Sequence, residues 1–198
     1  MAEDVWRRML VTDRRLYGGS AGLPERVARA AARHGATAVV LREKDLPGDA
    51  LRELARRLLE TSPVPVIVAH DPEAAREVGA AGVHLGWTSP APLPARDLLG
   101  QEALVGVSVH TPQELTALEE MRGSVDYVLL GPVFPTPSKE GILPPLGLER
   151  GAAMARSSSL PVVAVGGVDL SREGELLEAG FSGVAAIRAF APAENSCP

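Results

Sequence analysis

His110 closes the run Gly106-Val-Ser-Val-His-Thr111 and is the side chain in this sequence best placed to move protons. An imidazole titrates near neutrality, so it can both take and return a proton at physiological pH. Side chains alternate in direction along an extended chain. Val105, Val107 and Val109 then face one way, while Gly106, Ser108 and His110 face the other. Two cations follow the same alternation in Val40-Leu-Arg-Glu-Lys44, where Arg42 and Lys44 share a face opposite Glu43 and suit an anion. A solvated charge cluster is the plainer account of that pair. Thr136-Pro-Ser-Lys139 sets hydroxyls beside a lysine, so Thr136, Ser138 and Lys139 could close over a phosphate or carboxylate. A surface loop stiffened by Pro135 and Pro137 fits the same stretch.

Other chemistries find little support. The four histidines, His34, His70, His84 and His110, lie on separate segments without the spacing of a ligand set, so no metal is expected. His84, inside an extended run, reads as a hydrogen-bonded interior residue. Asp71 precedes Pro72 and reads as a helix N-cap. Neither a nucleophile elbow nor a phosphate-binding P-loop occurs. Cys197 is the only cysteine, which rules out an internal disulfide and fits a reducing compartment.

The elements that must position these groups alternate from end to end. Strands are predicted over 9–13, 38–44, 64–69, 82–86, 104–110, 126–134, 161–167 and 183–190. Helices are predicted between them over 24–34, 48–60, 72–80, 93–99, 112–121, 146–157 and 171–179. Parallel strands need crossovers of this kind. Eight such units predict an α/β fold, a single TIM (β/α)8 barrel with its last helix short or missing, and sites at the carboxyl ends of the strands. An open doubly wound sheet is the runner-up, disfavoured because no glycine-rich fingerprint follows the first strand. In a barrel the loops after strands seven and eight commonly hold phosphate. Gly166, Gly167, Ile187 and Arg188 occupy those places and are the expected phosphate contacts.

The whole chain, 1–198, reads as one domain, with 45% hydrophobic and 23% charged residues and no linker. A net charge of −5 argues against broad nucleic-acid binding. The opening Met-Ala-Glu-Asp-Val-Trp-Arg-Arg lacks a signal-peptide core, and no apolar run approaches the roughly 20 residues of a membrane span, so a cytoplasmic protein is expected. Only eight residues follow Phe190, too few for a normal eighth helix. Apolar surface beside strands eight and one then needs another cover, and a homodimer is one solution.

Seven segments, taken in order, resemble the thiamine phosphate synthase and TenI superfamily over essentially the whole chain. They are Leu10-Val-Thr-Asp13, Leu41-Arg-Glu-Lys44, Gly82-Val-His-Leu-Gly86, Gly106-Val-Ser-Val-His-Thr111, Asp126-Tyr-Val-Leu-Leu-Gly-Pro-Val-Phe-Pro-Thr136, Pro161-Val-Val-Ala-Val-Gly-Gly167 and Gly183-Val-Ala-Ala-Ile187. A typical synthase carries Gln two positions before the Arg of the second motif, Asn-Asp after strand three and Gly-Gln-x-Asp after strand four, the two aspartates holding magnesium. This chain has Val40, Ala69-His70 and Gly86-Trp-Thr-Ser89 at those places. Magnesium prefers hard oxygen ligands, usually carboxylates. Asp71 stands one residue too far along to substitute, since such a shift reverses the side chain.

The resemblance therefore implies the tautomerase branch: a cofactor-independent isomerase converting a carboxylated thiazole phosphate to its aromatic tautomer. On that reading His110 is the general acid/base, and the glycine region of Gly166, Gly167, Ile187 and Arg188 takes the phosphate. Arg42, Lys44 and Lys139 are candidates for the carboxylate or loop closure, with Ser108 orienting His110 or the ligand. Two alternatives remain. One is a magnesium-dependent synthase coupling a pyrimidine diphosphate to the thiazole phosphate. The other is a barrel that binds such a phosphate without catalysis.

Overall fold

The computed structural model describes residues 5–121 and 123–192. Eight strands close into a barrel in sequence order: β1 (Arg8–Val11), β2 (Ala38–Leu41), β3 (Val66–Ala69), β4 (Gly82–Leu85), β5 (Leu104–Val109), β6 (Tyr127–Leu130), β7 (Val162–Val165) and β8 (Gly183–Ala186). Every neighbouring pair is parallel, and β8 closes on β1 through Arg8 with Val184 and Leu10 with Ala186. Among the described residues seven α-helices cover the outside: α1 (Leu23–His34), α2 (Gly48–Thr61), α3 (Pro72–Val78), α4 (Pro92–Leu99), α5 (Pro112–Glu119), α6 (Leu148–Ser157) and α7 (Glu173–Glu178). The fold is the expected TIM barrel.

Each strand is short because its outer and inner faces are both buried for only about four residues. Val39, Leu41, Val66, Val68, Val83 and Val105 point outward into one helix-facing core. Val109, Val128, Leu130, Val162, Ala164 and Val184 point into another. The intervening residues Met9, Val40, Ile67, Tyr127, Leu129, Val163 and Ala185 fill the barrel interior with Trp6. The period-two alternation thus separates two cores on either side of one wall.

Several expected boundaries move. Strand two ends at Leu41, so Arg42 and Lys44 stand on the loop that follows it. Strand six ends at Leu130, although Val133 and Phe134 still donate to Val165 and Gly166 of the β7 side. Strand eight ends at Ala186, not at 190: Ile187 turns helical and Arg188–Phe190 forms a 3-10 turn.

That turn packs against the seam between β8 and β1. Phe190 is buried and sets its ring edge-on to His34 of α1, 5.9 Å between centroids. Tyr17, from a 3-10 turn at Arg14–Tyr17, joins the same core. Buried Glu173 at the start of α7 accepts from Arg7 Nε at 2.8 Å and pairs with Arg8 Nη2 at 2.5 Å, tying the last helix to the first strand. Phe190, Tyr17 and Glu173 thus cover part of the seam from within the chain. Residues 193–198, with Cys197, lie outside the described residues. Among the described residues no helix is long and apolar enough to cross a membrane.

Candidate active site

A cavity of about 550 Å³ opens at the carboxyl ends of the strands. Every sequence-predicted site residue lines it: Arg42, Lys44, Ser108, His110, Thr136, Ser138, Lys139, Gly166, Gly167, Ile187 and Arg188. Residues from five different strand ends thus converge in one mouth, as the closed register requires.

The β2 end shows how alternation sorts charge. Arg42 and Lys44 face the cavity, while Glu43 turns away and is buried. Its carboxylate accepts from Thr12 Oγ1 at 2.7 Å, from the Arg14 backbone N–H at 3.0 Å and from Arg14 Nη1 at 3.2 Å. Glu43 anchors the β1 loop, and its charge, with that of Asp13, still favours the Arg42 cation without a direct ion pair. Burial lowers the pKa of Arg42, of Lys44 and of Lys139. Arg42 and Lys139 repel Lys44, and Arg42 repels Lys139. Three cations that disfavour one another make a mouth that an anion would relieve.

The glycine wall has a steric origin as well as an electrostatic one. Gly166 and Gly167 have φ of 89° and 64°, which L side chains rarely adopt. A Cβ on Gly166 would lie 2.6 Å from Pro132 Cβ, and one on Gly167 would lie 2.8 Å from the Phe134 carbonyl carbon. The chain after β6 lies against this turn, and both surfaces line the cavity.

Beneath the mouth runs a buried polar chain. Tyr127 Oη is 3.3 Å from His84 Nδ1, and His84 Nε2 is 2.9 Å from Ser108 Oγ. Burial holds the His84 pKa down at about 3, so the imidazole is neutral. The neutral ring thus has one hydroxyl at each nitrogen, Tyr127 at Nδ1 and Ser108 at Nε2. Among the described residues the hydrogen-bond partner of the Ser108 hydroxyl is His84, not His110.

His110 sits just above. Its backbone N–H donates at 2.6 Å to Glu114 Oε2, the carboxylate that also closes the Thr111–Glu114 capping box at the start of α5. Burial and the Lys139 cation lower its pKa, against a weaker pull upward from Glu114.

The ends of β3 and β4 are where the sequence departs from a magnesium-binding pattern. His70 takes φ of 72°, and this left-handed residue turns the chain so that Asp71 caps α3, accepting from Ala74 N–H at 2.8 Å. Asp71 is therefore committed to the helix. His70 Nδ1 meets Ser89 Oγ at 3.1 Å, and Ser89 Oγ accepts from Gly86 N–H at 2.9 Å. Burial, with Lys44 and Arg42 nearby, holds the His70 pKa at about 4. The two positions thus meet in space, but as a neutral imidazole and a hydroxyl already paired with each other. Among the described residues no three His, Cys, Asp or Glu side chains gather as a metal site. This donor set does not fit magnesium, which calls for carboxylate oxygens.

Among the lining residues that the sequence reading did not place in a site are His70, Trp87 and Asp169. The signal for Trp87 was its place just after β4, where a barrel puts its site residues. Asp169 already caps the turn that follows, accepting from Ser171 N–H at 2.8 Å.

A family model described as thiamine monophosphate synthase matches residues 8–190. A thiamine-phosphate synthase of Albidiferax ferrireducens is 37% identical over 194 residues, covering 96% of this chain and 87% of its own. One from Azorhizobium caulinodans is 38% identical over 189 residues, covering 94% and 87%. The solved thiamine phosphate pyrophosphorylase of Pyrococcus furiosus superposes with a TM-score of 0.75 at 31% identity, over 98% of this chain and 92% of that one. These relatives are named for a transferase. They overturn the expected thiazole tautomerase and its isomerase class, an expectation drawn from the departures at Val40, Ala69-His70 and Gly86-Trp-Thr-Ser89.

Proposed function

The chain belongs to the thiamine monophosphate synthase family, and from that premise we propose that it couples a pyrimidine diphosphate to a thiazole phosphate, releasing diphosphate. The observation that carries this reading is the facing of Arg42, Lys44 and Lys139 across one mouth that also holds the glycine turn. Such a reaction needs two anion sites: one for a phosphate that stays and one for a diphosphate that leaves. On this reading Gly166, Gly167, Ile187 and Arg188 hold the thiazole phosphate. The three cations gather the diphosphate and stabilise the charge it gains as its bond to the pyrimidine carbon breaks. Thr136 and Ser138 add hydroxyls to the loop that carries Lys139, and Ser108 donates a hydrogen bond to the pyrimidine or the diphosphate. His110 contributes a neutral imidazole at the rim.

The aspartate-free ends of β3 and β4 leave this charge stabilisation to side-chain cations, and no step is assigned to a metal. They also favour a second reading, a barrel that binds the thiazole or thiamine phosphate without turnover. One assay separates the two. Both substrates are mixed with the protein, and diphosphate and thiamine phosphate are measured, with magnesium and with a chelator. Stoichiometric production of both supports the coupling reaction. Thiazole phosphate binding by calorimetry, with no product under either condition, would leave the binding barrel in its place.

A further inference from the structure

Trp87 stands 59% exposed at the mouth, on the turn that follows β4, where an apolar ring gains nothing from burial. It nevertheless has a defined seat. Its indole Nε1 lies 3.2 Å from His110 Nδ1, with ring centroids 4.6 Å apart and the planes inclined by 53°. Lys139 Nζ lies 5.1 Å from the indole centroid, within cation–π range. One side chain thereby links the loops after β4 and β6 to the end of β5.

The chemistry of that contact is one-directional. An indole N–H only donates. Seated as it is, Trp87 requires a lone pair on Nδ1, so the imidazole must carry its proton on Nε2. Glu114 Oε2 competes for the same nitrogen at 3.5 Å, and a carboxylate requires the opposite, a proton on Nδ1. That oxygen is held back by two backbone donors, His110 N–H at 2.6 Å and Thr111 N–H at 3.2 Å. Nδ1 is therefore contested by a donor and an acceptor, and the donor is the nearer.

We propose that Trp87 is a positioning residue for His110: its indole N–H holds the imidazole neutral with the proton on Nε2, and removing it hands Nδ1 to Glu114. With Trp87 seated, any ligand atom that reaches Nε2 meets a hydrogen-bond donor, which selects an acceptor such as a phosphate oxygen, a carboxylate oxygen or an unprotonated ring nitrogen. The proposal concerns the protein without ligand and holds whichever reaction the cavity carries.

The test uses the full chain labelled with ¹⁵N-histidine, with long-range ¹H–¹⁵N spectra at neutral pH. The four histidines are assigned by single substitution, His110 by His110→Gln. Wild type should show His110 with Nδ1 unprotonated and Nε2 protonated. Trp87→Phe keeps a ring but loses the donor. It should raise the population protonated on Nδ1 by about fivefold, the equivalent of one net hydrogen bond. Glu114→Gln should leave the wild-type tautomer in place. Circular dichroism of Trp87→Phe should show the wild-type helix content, since Trp87 is exposed. A wild-type His110 protonated on Nδ1, or an unchanged His110 spectrum in Trp87→Phe, would overturn the proposal, and neither result depends on finding the right substrates.

Discussion

Gly106→Ala is the smallest change that should reach from the β5 wall to the site. Gly106 has no positive φ, so the cost is one of space and not of backbone conformation. A Cβ there would lie 2.5 Å from both Tyr127 Cε1 and Tyr127 Oη. The Tyr127 ring is fully buried and packs at 5.7 Å between centroids on Trp6 and on His84, so it cannot step aside without moving one of them. Overpacking of this kind costs about 1–3 kcal/mol. Displacing the ring also breaks its 3.3 Å hydrogen bond to His84, worth about 1 kcal/mol net. The sum is about 2–4 kcal/mol, which lowers the melting temperature of a domain this size by roughly 5–15 °C. Urea denaturation measures the first quantity and calorimetric scanning the second. Tyr127→Leu in the same chain makes room for the methyl group, so the double variant should lose at least about 1 kcal/mol less than the two single losses added. A Gly106→Ala protein as stable as wild type, or a strictly additive double variant, would refute the steric account of this glycine.

Glu43→Ala strands the Thr12 hydroxyl and two Arg14 donors beside the β2 loop. It should cost about 3 kcal/mol in urea denaturation, and a loss under 1 kcal/mol would remove Glu43 as the anchor. Acid should destabilise the fold before the carboxylates titrate. His84 and His70 are held at about 3 and about 4, below the usual histidine value near 6.5, so the unfolded chain binds protons that the native chain refuses. Stability is complete above about pH 6.5 and falls as the pH drops. His84 alone accounts for on the order of 2 kcal/mol by pH 5, and half-exposed His70 adds less. The same titration on His84→Gln should be flatter between pH 6.5 and 5, and an identical slope would sink this origin. Arg42→Gln should keep the melting temperature and weaken inorganic diphosphate binding about tenfold, as expected for a lost charge-assisted hydrogen bond; an unchanged Kd in calorimetry would take Arg42 out of the anion site.

Much of this was legible without coordinates. Alternation in Gly106-Val-Ser-Val-His110 placed Ser108 and His110 on the inner side, and the same rule separated Arg42 and Lys44 from Glu43, because a period of two is local geometry. Asp71 before Pro72 announced its capping role for the same reason. The eight strand–helix repeats specified the barrel, since parallel strands leave few other closures. The reading went wrong where it took absent aspartates as proof of a different reaction: a missing ligand pair says what the site lacks, whereas family membership rests on the whole ordered set of motifs.

What the order of residues determined by itself was which side of the wall each group would occupy and how many walls there would be. Only the closed tertiary structure decided which groups from distant strands would touch. His70 meets Ser89, Tyr127 reaches His84, Trp87 seats on His110, and Phe190 packs edge-on against His34. Those pairings depend on barrel register and on a left-handed turn at His70. They are separated by between 19 and 156 residues along the chain, and nothing in the local pattern of either partner carries the distance between them.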